Sequence, residues 1–123
     1  MNLKDKLLST KFKKTAFDLD GEKLYVRSFS LSERDWWLYE CRYIVENPDT
    51  SRAEELRAKS LLKCLQDEKG IAVFDSDDLD ALKALPCGEV DKYYDEILFL
   101  SGLMDKPEKK RASSRRSKRQ DGE

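Results

Sequence analysis

Side chains that could carry acid–base chemistry near neutral pH are almost all carboxylates in this 123-residue chain, because the sequence contains no histidine. The absence of histidine removes the commonest general base, the commonest zinc and iron ligand, and every Ser-His-Asp or Cys-His arrangement. The 25 Asp and Glu residues are spread along the chain, so no two of them stand out as a catalytic acid and base. We therefore predict that the protein is not an enzyme and uses no cofactor. An enzyme that works with carboxylates alone is the weakest alternative.

Two further patterns could bind a metal ion, and both have simpler interpretations. Cys41, Cys64 and Cys87 form no Cys-x-x-Cys pair, so we interpret them as small buried thiols. The acidic run at 75–80 lacks the glycine and the glutamate that a calcium-binding loop requires. We expect this run to cap a short helix, because carboxylates stabilise the N-terminal end of a helix. The sequence therefore predicts no metal site.

The aromatic residues of the segment 31–46 form a more specific pattern. When the segment is drawn as a helix, it has two apolar faces. One face contains Trp37, Leu38, Cys41, Ile44 and Val45, and the nearly opposite face contains Trp36, Tyr39 and Tyr43. In a later helix, Phe99 lies opposite Val90. Large aromatic rings on a second apolar face either pack within the fold or contact a partner, and the sequence leaves both alternatives open. The candidate partner-binding surface consists of Trp36, Tyr39, Tyr43 and Phe99.

The elements that must position these residues belong to an α+β fold that is mainly helical. Alternating apolar and polar residues around Asp20-Gly21 predict a β-hairpin at about 15–29. Ser-x-x-Glu spacings at Ser30 and Ser51 predict two capping boxes. Helices are predicted at about 31–46, 51–67, 77–85 and 89–101, with a short β segment at 71–74.

Residues 1–104 are predicted to form a single compact domain, because 39% apolar residues in a chain of this length can fill one core. The segment 1–13 is either a loose helical turn or a mobile arm. The predicted core is built from Trp37, Leu38, Ile44, Leu61, Leu62, Leu65, Leu79, Leu82, Val90, Tyr94 and Ile97.

Charge is distributed unevenly along the chain, although the net charge is only −1. Residues 105–123 carry eight basic and four acidic residues, which leaves 16 basic and 21 acidic residues in 1–104. Because Ala112 is the only apolar residue of this segment, we predict a disordered basic tail. Such a tail could bind the phosphates of a nucleic acid, keep the protein soluble, or bind an acidic protein surface. A small nucleic-acid-binding adaptor is therefore the alternative function.

The hydropathy pattern and the three cysteines, which indicate no disulfide framework, together predict a reducing cytoplasm. No apolar run approaches the roughly 20 residues that span a bilayer. The first residues, Met-Asn-Leu-Lys-Asp-Lys, lead into no signal-peptide core. We expect no membrane partner.

Several short sequence motifs follow one another in an order that resembles the tail assembly chaperones of long-tailed bacteriophages. Sequences of that family resemble a hairpin followed by a helix that begins with Ser-x-x-Glu/Asp. A second helix then ends in Leu-Cys-Leu-x-Asp-Glu-x-Gly. A brief strand ending in Phe, an Asp-rich segment, a Leu-Pro break and a last helix finishing near Leu-x-Gly-Leu follow. The matching segments here are LKCLQDEKG at 62–70, VFDSDDLDAL at 73–82, Leu85-Pro86 and LFLSGL at 98–103. The resemblance covers about residues 15–104.

The resemblance implies a small chaperone in the host bacterial cytoplasm. It would coat the long tape measure protein and bring tail tube subunits to it during tail assembly. The implied partners are therefore the tape measure protein and the tail tube protein rather than nucleic acid. The oligomeric state stays open, and a homo-oligomer is one option.

The family resemblance also concerns the gene, because many relatives are made in two forms through a −1 ribosomal frameshift near its end. Glu108-Lys109-Lys110 can be encoded as GAA AAA AAG, which contains the slippery heptamer A AAA AAG. A frameshift at this position is expected if those codons are used, and synonymous codons would remove the heptamer.

Overall fold

The structure, a computed structural model, describes residues 2–48 and 51–105. The elements, in chain order, are α1 (Leu3–Leu8), β1 (Lys14–Leu19), β2 (Glu22–Arg27), α2 (Leu31–Glu46), α3 (Arg52–Cys64), β3 (Leu65–Gln66), α4 (Leu79–Lys83) and α5 (Cys87–Leu100). This order confirms the predicted α+β fold, in which a hairpin precedes several packed helices. Apart from Asp105, the predicted basic tail lies outside the described residues.

The hairpin forms where an Asp-Gly turn joins two strands. Asp20 and Gly21 have positive φ angles of 52° and 89°, which is the geometry of a two-residue turn that matches the twist of antiparallel strands. Leu19 pairs with Glu22 across this turn. The predicted hairpin is confirmed, and its strands span 14–27.

The chain after α3 departs from the sequence pattern, because the helix ends at Cys64 and does not continue to 67. Leu65 has extended backbone angles (φ −88°, ψ 128°) and pairs with Val26 of β2. The sheet therefore has the order β1-β2-β3. The predicted β segment at 71–74 is reduced to one bridge between Ala72 and Gln66. The Leu65 amide donates to the carbonyl oxygen of Leu61, and the Leu65 carbonyl oxygen accepts a 3.1 Å hydrogen bond from the Val73 amide. The strand pairing with β2 and the bond from Val73 are tertiary interactions that override the local helical pattern.

The helix starts follow the sequence signals in part. Ser30 Oγ accepts a hydrogen bond from the Glu33 amide at 3.2 Å, and Glu33 Oε1 accepts one from the Ser30 amide at 2.9 Å, so the first capping box is confirmed. The second is wrong. Ser51 makes no side-chain cap, and its angles of φ −86° and ψ 11° differ from the extended geometry that aims a hydroxyl at the first turn.

The acidic run caps a helix start, as expected, but the helix is shorter than predicted. Asp75 Oδ1 accepts a hydrogen bond from the Asp77 amide at 2.9 Å. One 3₁₀ turn at Ser76–Asp78 precedes α4. The predicted helix at 77–85 is therefore a 3₁₀ turn and a five-residue α-helix. The last helix begins at Cys87, two residues before the predicted start.

The hydrophobic core lies between the sheet and the helices α3, α4 and α5. Its fully buried side chains are Val26, Ser60, Leu61, Cys64, Leu65, Leu82 and Ile97. Five predicted core residues, namely Leu61, Leu65, Leu82, Val90 and Ile97, are buried. Leu38 is 46% exposed, so its assignment to the core is wrong. Val26 and Phe29, which follow the hairpin turn, belong to the core although they were not predicted there.

A buried arginine joins the sheet to two helices and to the N-terminal segment. The Arg27 guanidinium donates two hydrogen bonds to the Glu33 carboxylate, at 2.8 and 3.0 Å. It also donates to the carbonyl oxygens of Ser28 at 2.8 Å and Lys63 at 2.7 Å. The ring of Phe12 lies 4.5 Å from the guanidinium carbon. One side chain therefore holds β2, α2 and α3 in a fixed relation.

The three cysteines have different environments. Cys64 is fully buried, and burial raises the pKa of its thiol to about 12, so its interpretation as a buried thiol is confirmed. Cys41 is half-buried. Cys87 is exposed, which contradicts the expected burial, because it occupies the first position of α5, at the end of the helix.

Candidate partner-binding surface

Helix α2 turns toward the core a face that lies between the two predicted apolar faces. We call it the inner face, and its half-buried residues are Glu33, Trp36, Trp37, Glu40, Cys41, Tyr43 and Ile44. At 100° per residue, these seven positions fall within about 160° of the helix circumference. The inner face combines Trp36 and Tyr43 from one predicted face with Trp37 and Ile44 from the other.

Both tryptophans of the inner face pack within the fold. Trp36 meets Phe29 edge to face, with ring centroids 6.4 Å apart and an interplanar angle of 83°. The Lys63 ammonium lies 4.7 Å from the centre of the Trp36 ring. Trp37 Nε1 donates a 2.8 Å hydrogen bond to the hydroxyl of Tyr94. These contacts attach α2 to α3, to α5 and to the segment after β2.

Tyr43 is covered by an ion pair between α2 and α3. The Arg52 guanidinium carbon lies 4.1 Å from the centre of the Tyr43 ring. Arg52 also donates hydrogen bonds of 2.9 and 3.1 Å to the Glu40 carboxylate. The Tyr43 ring therefore contributes to the α2–α3 packing and presents little of its face to the outside.

The opposite side of α2 carries an exposed apolar stripe. Leu31, Leu38 and Val45 are seven residues apart and thus lie along one side of the helix, and we call them the outer stripe. They are 70%, 46% and 79% exposed. Tyr39 lies about 100° around the helix from Leu38 and is 61% exposed. A row of apolar side chains open to solvent is the kind of surface that covers the apolar face of a partner helix.

Phe99 is half-buried on α5, between the buried Leu98 and the half-buried Leu100. Trp36, Tyr39 and Tyr43 share α2, whereas Phe99 belongs to a different helix. Of the four predicted site residues, Tyr39 is the one that is mostly exposed. Of the outer stripe, Leu38 was assigned to the core from the sequence. The seven-residue spacing of Leu31, Leu38 and Val45, with arginines at 34 and 42, is the signal that could have identified it.

Within the described residues, no group of three or more His, Cys, Asp or Glu side chains is placed to hold a metal ion. The helices in this part of the chain also include none that is long and apolar enough to cross a membrane.

Trp36 and Tyr39 are expected to differ in their contribution to stability. Replacing Trp36 with alanine removes contacts to Phe29 and Lys63 and should lower the free energy of unfolding by about 2–3 kcal/mol, somewhat less than for a fully buried tryptophan. Replacing the exposed Tyr39 with alanine should change it by about 0.5 kcal/mol or less. Urea denaturation followed by circular dichroism measures both values. An equal loss for the two variants would contradict the assignment of the inner face.

The fold is similar to that of the tail assembly chaperone of bacteriophage HK97. The likeness has a TM-score of 0.59 with 17% sequence identity, and it covers 78% of this chain and 94% of the HK97 protein. No protein-family model and no curated protein matches the sequence. The resemblance that the sequence motifs indicated is therefore confirmed as a tail assembly chaperone fold.

Proposed function

We propose that this protein is a tail assembly chaperone of a long-tailed bacteriophage, which binds the tape measure protein and helps to recruit tail tube subunits. The observation that carries the proposal is the shared fold, since the likeness includes nearly all of the HK97 chaperone. The proposal is also supported by the order of sequence motifs between residues 62 and 103, which indicates the same family independently of the structure.

The outer stripe is the surface that we assign to the tape measure protein. A chaperone of an unassembled protein must cover apolar side chains that would otherwise aggregate. Leu38, Val45 and Tyr39 are exposed to solvent, so they can contact a partner without a conformational change. The inner face, by contrast, is engaged with α3 and α5. The proposed binding surface is therefore Tyr39 together with the outer stripe. It differs from the predicted set because Trp36 and Tyr43 pack within the fold.

The protein acts by binding, without catalysis or a cofactor, and its site of action is the cytoplasm of the host bacterium. A longer product, made by frameshifting at the codons of Glu108-Lys109-Lys110, would keep the body and replace the sequence that follows. The nucleotide sequence tests this point, because any codon choice that breaks the heptamer removes it.

The tape measure surface is tested by co-expressing the chaperone with the tape measure protein encoded beside it. Changing Leu38→Gln together with Val45→Gln should weaken co-purification at least about tenfold, as expected when two apolar contacts of an interface are lost. Glutamine is a good helix former, so α2 should remain intact, and the melting temperature checks this.

The matched control is Ile71→Gln, a change at an apolar residue that is 58% exposed but lies far from α2 in the chain. It should co-purify as the wild type does. If the double variant also co-purifies with the tape measure protein as the wild type does, the outer stripe is not the binding surface. If wild-type chaperone captures neither the tape measure protein nor the tube protein, the proposed function itself is wrong.

A further inference from the structure

The first residues of the chain form a basic arm attached to an acidic body. Residues 2–14, which we call the basic arm, contain five lysines and one aspartate, whereas residues 15–105 contain 11 basic and 21 acidic residues. Within the described part of the chain, none of the five arm lysines forms an ion pair. The arm therefore keeps its positive charge available although the body next to it is rich in carboxylates.

The basic arm also exposes apolar side chains. Leu3, Leu7 and Leu8 are 84%, 73% and 74% exposed, and Phe12 is 44% exposed. Helix α1 buries none of its residues. At 100° per residue, the three leucines span about 140° of α1 with Lys4 among them, and Asp5 and Lys6 lie about 60° beyond the two edges of this span. Apolar area and positive charge thus share one face of the helix.

The root of the arm, at Phe12 and Lys13, is attached to the body. The Ser28 amide donates a 3.0 Å hydrogen bond to the carbonyl oxygen of Lys13, and Phe12 lies against the Arg27 guanidinium. Residues 10–13 also line a groove of about 370 Å³ together with the end of α5, at Leu100 and Ser101. The arm is therefore presented from the end of the body where α5 finishes.

We propose that the basic arm is a docking surface for an acidic amphipathic helix of a partner protein. The leucines would pack against the apolar side of that helix, and the lysines beside them would face its carboxylates. The surplus of carboxylates on the body repels an acidic partner elsewhere and so directs it to the arm. Nucleic acid would leave the leucines uncovered, so an acidic protein segment fits the arm better. This surface is separate from the outer stripe and goes beyond the proposed function.

The test measures fluorescence anisotropy of a labelled synthetic helix of leucine and glutamate, with leucines at i, i+3, i+4 and i+7, added to the full-length protein. Leu3→Ser with Leu7→Ser and Leu8→Ser should weaken binding at least about tenfold, as should Lys4→Gln with Lys6→Gln. Neither set touches a buried residue, so the melting temperature should stay unchanged. Lys23→Gln with Lys69→Gln removes two exposed lysines of the body as a matched control and should preserve affinity.

Several results would overturn the proposal. One is equal binding of a peptide in which serine replaces leucine, because the arm would then act only as a cluster of charges. Another is loss of binding on deletion of 106–123 with the arm intact. A third is stronger binding of duplex DNA or of anionic phosphatidylserine vesicles than of the peptide. Self-association that sedimentation detects and that the leucine variant abolishes would assign the arm to a second copy of this chain instead.

Discussion

Replacing Arg27 with alanine is expected to lower the free energy of unfolding by about 3–5 kcal/mol, the range for breaking a buried ion pair by removing one partner. The side chain of Arg27 is only 11% exposed and that of Glu33 only 20%. The change would remove the two bonds from Arg27 to the Glu33 carboxylate, which would keep only the bond from the Ser30 amide. It would also remove the guanidinium donor from the carbonyl oxygens of Ser28 and Lys63. Because the guanidinium connects β2, α2 and α3, the loss should appear as one cooperative shift of the urea midpoint.

The control for Arg27 is Arg34→Ala on the outer side of α2. Arg34 pairs with Asp35 at 3.3 Å, but the two side chains are 47% and 62% exposed. A solvent-exposed pair contributes about 0–1 kcal/mol, so this variant should unfold almost as the wild type does. Equal losses for Arg27→Ala and Arg34→Ala would show that the buried network is not formed in solution.

The same ion pair should make stability depend on pH in the acid range. Burial alone would raise the pKa of the Glu33 carboxyl, but hydrogen bonds from Arg27 and Ser30 outweigh it, and the net pKa lies below its ordinary value. A carboxyl whose pKa is lowered on folding contributes stability above its unfolded pKa, and this contribution is lost as the pH falls through the folded pKa. Glu33→Gln should remove this part of the acid dependence while leaving the neutral-to-alkaline profile parallel to that of the wild type.

Replacing Leu61 with alanine is expected to lower the free energy of unfolding by about 2–5 kcal/mol. Leu61 is completely buried and lies in the last turn of α3, a helix that packs on α4 and α5. The cost has two parts, namely the lost transfer of the side chain from water and the cavity that remains among rigid neighbours.

The matched control is Leu38→Ala, the same change at a leucine that is 46% exposed. It should cost about 0.5 kcal/mol or less, and alanine is the stronger helix former. Chemical denaturation of both variants compares the two sites directly. A large loss at Leu38 would mean that α2 is rotated, with Leu38 against the core, where the sequence pattern alone had placed it.

The sequence by itself determined the features that depend on neighbours along the chain. The Asp20-Gly21 turn needs only the positive φ that these residue types tolerate. The Ser30–Glu33 capping box needs only side chains three residues apart. The inward face of α5 followed from periodicity, because Val90 and Ile97 were predicted to belong to the core and both are buried.

Only the tertiary structure decided which side of α2 faces the core and where α3 ends. Periodicity placed Trp36 and Leu38 at their angles on the helix, but it could not rank two apolar faces of similar size. The choice depends on residues distant in sequence, since Arg27 binds Glu33 and Tyr94 accepts the hydrogen bond of Trp37. A helix therefore buries the face on which apolar area is removed from water and the buried polar groups also find hydrogen-bond partners. The leucines left outside then became available to a partner.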